Sequence, residues 1–223
     1  MLLINNGTWL TAPVSNEGEL RARIEVAIRD AQPHKLPWVL YLLESSLTGA
    51  EAVATELGLH RMGGLRVMTG DMAEFRPPVR PLPSAEFRRV MTAKGSDAWV
   101  ALDLNTRAYG MPLEITQTVV DSGAYFSDPN KDFGFIAVAD GIPVSTATVI
   151  ELDGWLYVAA VATDPKYRQL GYAEAVMRHA LQVASAELGI CRTALDASLM
   201  GAPLYEQMGY QKTGETWGMY TPG

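Results

Sequence analysis

Apolar positions along the chain change period several times, and each change predicts an element. A short apolar piece at Met1 to Ile4 is followed by the turn signal Asn5-Asn6-Gly7. Leu20, Ile24, Ala27 and Ile28 then recur at helical spacing, with Arg21, Glu25 and Arg29 on the other side. Pro33 and Pro37 end that helix. WVLYLL at 38–43 is continuous in its hydrophobicity and reads as a buried strand. A helix from about Ala50 to Leu57 follows, stopped by Gly58. Pro77, Pro78, Pro81 and Pro83 exclude helix and central strand over 76–83. After them, Ser84 to Met91 predicts a helix capped by Ser84, and two or more short helices are expected over Asp97 to Asp121, broken at Gly110 to Pro112.

From Phe133 the pattern turns to β. GFIAVA, Asp140-Gly141, PVSTATVIEL, Asp153-Gly154 and WLYVAAVAT predict three strands joined by two tight turns, an antiparallel meander. YRQLGYA then leads into a helix burying Ala173, Val176, Met177, Ala180, Leu181, Ala184 and Leu188, with Glu174, Arg178, His179 and Glu187 off that face and Gly189 as cap. RTALDAS reads as a strand, GAPLYEQM as a short helix ending at Gly209, and the rest to Tyr220 as a final strand or hairpin.

One internal echo runs through this order. Gly58, Gly63 and Met68 match Gly209, Gly214 and Met219 at one offset, and apolar strands, the pairs Ser46-Leu47 and Ser198-Leu199 and short helices precede both. We expect a degenerate N-terminal half at 1–75, a proline-rich linker at 76–83 and a second domain at 84–223. Two unrelated strand-helix-strand units sharing cap glycines is the alternative.

Composition narrows the class. The 223 residues are 48% hydrophobic, ample for a core, and no apolar run approaches the length of a membrane helix. The formal charge of −7, without a basic block, argues against nucleic acid and mildly favours a cationic partner. The single cysteine, Cys191, fits a reducing compartment and is expected to be a buried small residue. The three histidines lack metal-ligand spacing, so no metal is expected, and a cytoplasmic location is inferred.

The stretch Trp155 to Leu188 carries the candidate chemistry. A strand ending in Asp164-Pro165 delivers Arg168-x-x-Gly171-x-Ala173 to a helix start, where free backbone N–H groups and the helix dipole favour an anion. No Gly-Lys-Ser/Thr ending and no Gly-x-Gly-x-x-Gly is present, which excludes the commoner nucleotide loops. The spacing resembles the acyl-CoA pyrophosphate loop of the GNAT N-acetyltransferase superfamily, and Leu204-Tyr205-Glu206 with Gly209-Tyr210 resembles that family's later helix. The resemblance covers about 83–223. It implies an α/β (α+β) fold, a mixed, mostly antiparallel central sheet flanked by helices, here preceded by the smaller strand-helix-strand domain. It also implies acetyl-CoA as co-substrate and direct transfer of the acetyl group to a small-molecule or peptide amine. Backbone groups of Val161, Ala162 and Thr163 would pair with pantetheine, and Arg168, Gln169, Leu170, Gly171, Tyr172 and Ala173 would hold the pyrophosphate.

Tyr205 would protonate the departing thiolate, as a neutral phenol can. Ser198 stands where the family commonly has asparagine, and WLYVAAVAT lacks the family's usual glutamate, leaving Glu151, Asp196 or no residue as base. A catalytically silent acyl-CoA-binding module and a structural or interaction protein remain as alternatives. Tyr109, Tyr125 and Phe126 fall in the family's acceptor region, with core packing the equal alternative. The assembly, a homodimer among the options, is open.

Overall fold

The computed structural model describes residues 7–34, 38–45, 48–92, 95–110, 113–123, 128 and 130–223. The expected pieces at Met1 to Ile4, Ser46-Leu47 and Tyr125-Phe126 lie outside the described residues. The fold is mixed α/β with a mostly antiparallel sheet flanked by helices. It divides into two compact units, residues 1–68 with 196–205 and 211–223, and residues 69–195 with 206–210. This cut differs from the partition expected at 76–83, because the end of the chain joins the first unit.

In the first unit the strand order is β1 (Gly7–Leu10), β2 (Val39–Leu43), β9 (Gln211–Pro222), β3 (Leu59–Asp71, its last residues in the second unit). β1 runs parallel to β2, and β9 antiparallel to it. Helices α1 (Glu17–Ala31) and α2 (Ala50–Glu56) cover one face, where Leu20, Ile24, Val53 and Ala54 pack with Leu40, Leu42, Leu59 and Tyr220. Asn16 starts α1 by accepting the Glu19 amide, 3.0 Å, as an N-cap should. The echo glycines share an unusual backbone: Gly58, Gly63, Gly209 and Gly214 all have positive φ.

In the second unit β4 (Glu86–Val90), β5 (Asp132–Ala139), β6 (Ile142–Leu152) and β7 (Trp155–Thr163) form an antiparallel run, and β8 (Arg192–Ser198) pairs parallel to β7. Asp140, Gly141, Asp153 and Gly154 all have positive φ, as the two Asp-Gly turns require. Helix α3 (Ser96–Ala108) packs Ala98, Ala101 and Leu104 on Val90, Ile136 and Val138 of the sheet, and is followed by α4 (Leu113–Ser122). Helix α5 (Tyr172–Leu188) lies on the other face against β5, β6 and β7. Helix α6 (Ala202–Met208) has residues in both units.

Four expectations are corrected. Residues 84–91 are not helical: 86–90 form the edge strand β4, with Phe87 on His179 and Arg89 over Phe133 on one face and Val90 packed with Ala98, Ala101 and Leu104 on the other. His179, expected off the buried face, is partly covered there: it stacks on Phe87 at 4.4 Å and meets the edge of Phe135 at 4.7 Å. Glu174 is buried, tied to Arg178 at 2.8 Å, because i, i+4 spacing lets the pair neutralise itself within the helix. Cys191 is exposed.

Candidate functional site

Strand β7 changes character halfway along. Its rungs to β8 run from Leu156 to Val158, and beyond Val158 only the β6 side is paired in register. There the register slips: Thr148 faces Ala159 but Thr146 faces Ala162, so Ala147 opposes two residues, Ala160 and Val161. Ala160 takes φ +51° while 2% exposed, a conformation uncommon for a residue with a side chain. Helix α3 braces this bulge. Asn105, 2% exposed, donates from Nδ2 to the Ala101 carbonyl at 2.9 Å and the Ala160 carbonyl at 3.4 Å, and its Oδ1 has no partner. Tyr109, just past the helix, donates to the Val161 carbonyl at 3.3 Å. Burial pushes its phenol pKa up, partly opposed by the nearby Arg168 charge. Ser145 donates to the Ala162 carbonyl, 2.8 Å, and lies 2.8 Å from the Thr163 hydroxyl.

The strand then ends at a carboxylate. Asp164 accepts the Lys166 amide at 3.0 Å and pairs with Arg107, which also holds Asp103 at 2.8 Å. Burial works to raise its pKa, but the Lys166 amide and Arg107 outweigh that and hold the carboxyl below its usual range. The short 3-10 turn Pro165–Tyr167 follows, then Arg168, whose guanidinium donates to the carbonyls of Ala108 at 2.8 Å and Thr163 at 3.4 Å. Arg168 therefore ties the loop to the end of α3.

Gln169 (φ +61°) and Gly171 (φ +93°) both take the left-handed region, winding the loop into the first turn of α5. The Gly171 carbonyl accepts from Ala175 at 3.0 Å. The amides of Tyr172, Ala173 and Glu174 open a 17-residue helix, and no carbonyl of that helix can reach them. The proline segment packs here. Arg80 donates to the Gln169 carbonyl, and a Cβ on Gly171 would sit 3.1 Å from Pro83 Cδ and 3.9 Å from Arg80 Nε. Residues 76–83 thus act as a strap on the loop as well as a connection, with Arg76 bonded to the Met208 carbonyl at 3.0 Å.

Arg80, Asn105, Arg107 and Ala160 were not singled out from the sequence, and Pro83 only as one of the prolines of the linker. Asn105 offered one signal, a polar residue at i+4 from Ala101 on a buried helix face. Ala160 in a run of alanines and valines offered none.

Of the expected site residues, those from Val161 to Ala173 lie together in the second unit, whereas Asp196, Ser198 and Tyr205 belong to the first. Tyr205 is 9% exposed, and a Cβ on Gly201 would approach its ring at 3.1 Å, its hydroxyl at 3.5 Å and Ser198 Oγ at 3.3 Å. Ser198 accepts the Gly201 amide at 3.1 Å, capping the turn into α6. Glu151 pairs with Lys131 at 2.9 Å and accepts the Gly154 amide at 3.0 Å, which together hold its pKa down. It faces Leu156, seven residues from Thr163 and so about 23 Å along the strand from the loop. A depressed, ion-paired carboxylate so far from the loop makes a poor base there.

The chain belongs to the acetyltransferase (GNAT) family, whose profile matches residues 99–210. Among solved structures it is similar to a GCN5-related N-acetyltransferase from Kribbella flavida, with TM-score 0.68 and 19% identity over 97% of this chain and 81% of that one. A conserved protein of unknown function from Staphylococcus epidermidis gives TM-score 0.68 at 12% identity, over 95% and 82%. A tandem GNAT protein from the clavulanic acid biosynthesis pathway gives TM-score 0.59 at 13% identity, over 90% and 68%. At these identities the likeness is one of fold. No curated protein matches the sequence.

Proposed function

We propose that the protein transfers an acetyl group from acetyl-CoA to an amine in a ternary complex. The observation that carries this reading is the loop into α5. Three amides open a helix start, two positive-φ residues wind the backbone into it, Arg80 donates to the Gln169 carbonyl, and Arg168 ties the loop to the end of α3. That arrangement suits a pyrophosphate held without a metal. Backbone groups of Val161, Ala162 and Thr163, past the bulge, would take the pantetheine arm, and Tyr109 would release the Val161 carbonyl to it. Tyr205 is the proposed general acid, with Ser198 holding the turn that orients it. The N-terminal half is proposed to be a degenerate relative of the same fold with no pyrophosphate loop, and the reaction to take place in the cytoplasm.

Leu170 is 52% exposed on the loop, so a carboxylate there meets the pyrophosphate without a backbone penalty. For Leu170→Glu, acetyl-CoA affinity by calorimetry should fall at least about tenfold, since like charges a few ångströms apart repel by ~1.4 kcal/mol or more. Unchanged affinity would remove the loop as the pyrophosphate site. Tyr205→Phe should lower turnover by about a hundredfold at unaltered acetyl-CoA affinity, the size of a lost general acid. The constraint on Glu151 and the lack of an acid on β7 favour a second reading, binding without turnover. Release of free CoA thiol against a panel of amines separates the two.

A further inference from the structure

The proline segment cannot hold itself in place. Pro77, Pro78, Pro81 and Pro83 carry no N–H, so residues 77–83 form no strand ladder, and Val79 at their middle is 81% exposed. Side chains fix the segment at two points, both within the second unit.

The first point is its start. The Arg76 carbonyl accepts from Arg178 Nη2 at 2.7 Å, and the same guanidinium lies over the Phe75 ring, 5.9 Å from its centroid. Phe75 in turn leans on Tyr210 at 5.2 Å. Arg178 also donates from Nε to Glu174 at 2.8 Å, so one guanidinium joins the start of the segment to a buried carboxylate in the first turn of α5. That carboxylate would oppose an anion at the helix start, and Arg178 neutralises it.

The second point is the loop itself. Arg80 donates to the Gln169 carbonyl, and Pro83 packs where Gly171 lacks a side chain, 3.1 Å from the position of a Cβ. Gln169 and Gly171 are the two residues of the loop with positive φ. Glycine adopts that conformation freely, whereas for glutamine it is disfavoured by about tenfold in population. The non-glycine residue held left-handed is therefore the one whose carbonyl the segment grips.

We propose that residues 76–83 are a clamp that keeps the loop wound before any ligand arrives, with Arg80 and Arg178 as its positioning residues. A loop already formed spares the ligand the cost of ordering it, so the clamp raises affinity. The effect on affinity rests on the reading of this loop as the acetyl-CoA site; the clamp is a property of the free chain.

Hydrogen exchange of the full chain without ligand reads the clamp directly. In Arg80→Ala the amides of residues 169–175 should exchange about tenfold faster while those of β5 and β6 keep their rates, whereas a general loss of stability would speed both. Arg178→Met combined with Glu174→Gln, which leaves no buried charge unpaired, should reproduce the faster loop exchange. Calorimetric titration with acetyl-CoA reads the consequence. Arg80→Ala should weaken binding about tenfold alone but less than about threefold in the Gln169→Gly background, because glycine turns left-handed unaided. A guanidinium acting only as a charge on the ligand would cost the same in both backgrounds and fade as salt is raised. Unchanged loop exchange in Arg80→Ala, or equal losses of affinity in the two backgrounds, would overturn the proposal. A wild-type chain that binds no acetyl-CoA would overturn the function reading, and loop exchange would still decide the clamp.

Discussion

His179 lies between Phe87 and Phe135, and burial lowers its pKa. The neutral ring is the form that the folded chain prefers, so the unfolded chain binds more protons around and below the ordinary histidine value of about 6.5. The stability contributed is therefore present above that value and lost as pH falls through it toward the folded pKa. In His179→Phe this loss should be missing: between pH 7.5 and 5.5 the wild-type thermal midpoint should drop further than the variant's. Parallel curves would mean that the ring titrates as in water. At this scale the sequence was legible where residue type and geometry coincide, as at Gly171 and Asp164. It was not legible at His179 or Arg80, whose surroundings come from Phe87 and the Gln169 carbonyl, both more than eighty residues away.

The elements followed the apolar periods where one face alone is buried, as in α1 and α5, and the Asp-Gly turns fixed the meander because each needs positive φ. Residues 84–91 misled because EFRRV alternates weakly and a serine ahead of it can cap a helix; pairing with β5 decided the matter. The bulge in β7 was silent, since small residues on both faces hide a change of register. Its energetics are testable at Ala160. A left-handed alanine costs about 1–2 kcal/mol relative to the ordinary region, and glycine escapes that penalty. Ala160→Gly should thus change the unfolding free energy by less than about 1 kcal/mol, whereas Ala160→Val, β-branched and at a 2% exposed position, should destabilise by roughly 2 kcal/mol or more. Denaturant unfolding measures both. A neutral Ala160→Val would mean that the bulge flattens easily. Asn105 bears on the same geometry: Asn105→Leu should loosen acetyl-CoA binding more than it lowers stability, since it removes the brace along with an unbonded Oδ1.

At the scale of the whole chain, the order of elements was readable but their allegiance was not. A split near 76–83 implies that residues 1–75 carry their own core. In the structure the first unit is completed from the far end: β9 pairs with β2 from Leu40↔Tyr220 to Leu43↔Trp217 and lies between β2 and β3 in the sheet. Tyr220, 2% exposed, belongs to the same core as Leu20, Ile24 and Val53. Without β9, β2 keeps only β1 as a partner, and the apolar rows on both of its faces lose a side. No local pattern announces this, because a strand's partner is set by long-range closure, whereas its period is set by its own residues. Residues 1–75 expressed alone should therefore fail to fold, giving neither dispersed amide resonances nor a cooperative melt. Linking 211–223 to their C-terminus through a flexible spacer should restore both if β9 is what the unit lacks. A fragment 1–75 that melts cooperatively by itself would show that the N-terminal half is a free-standing domain and that β9 is a late addition to its sheet.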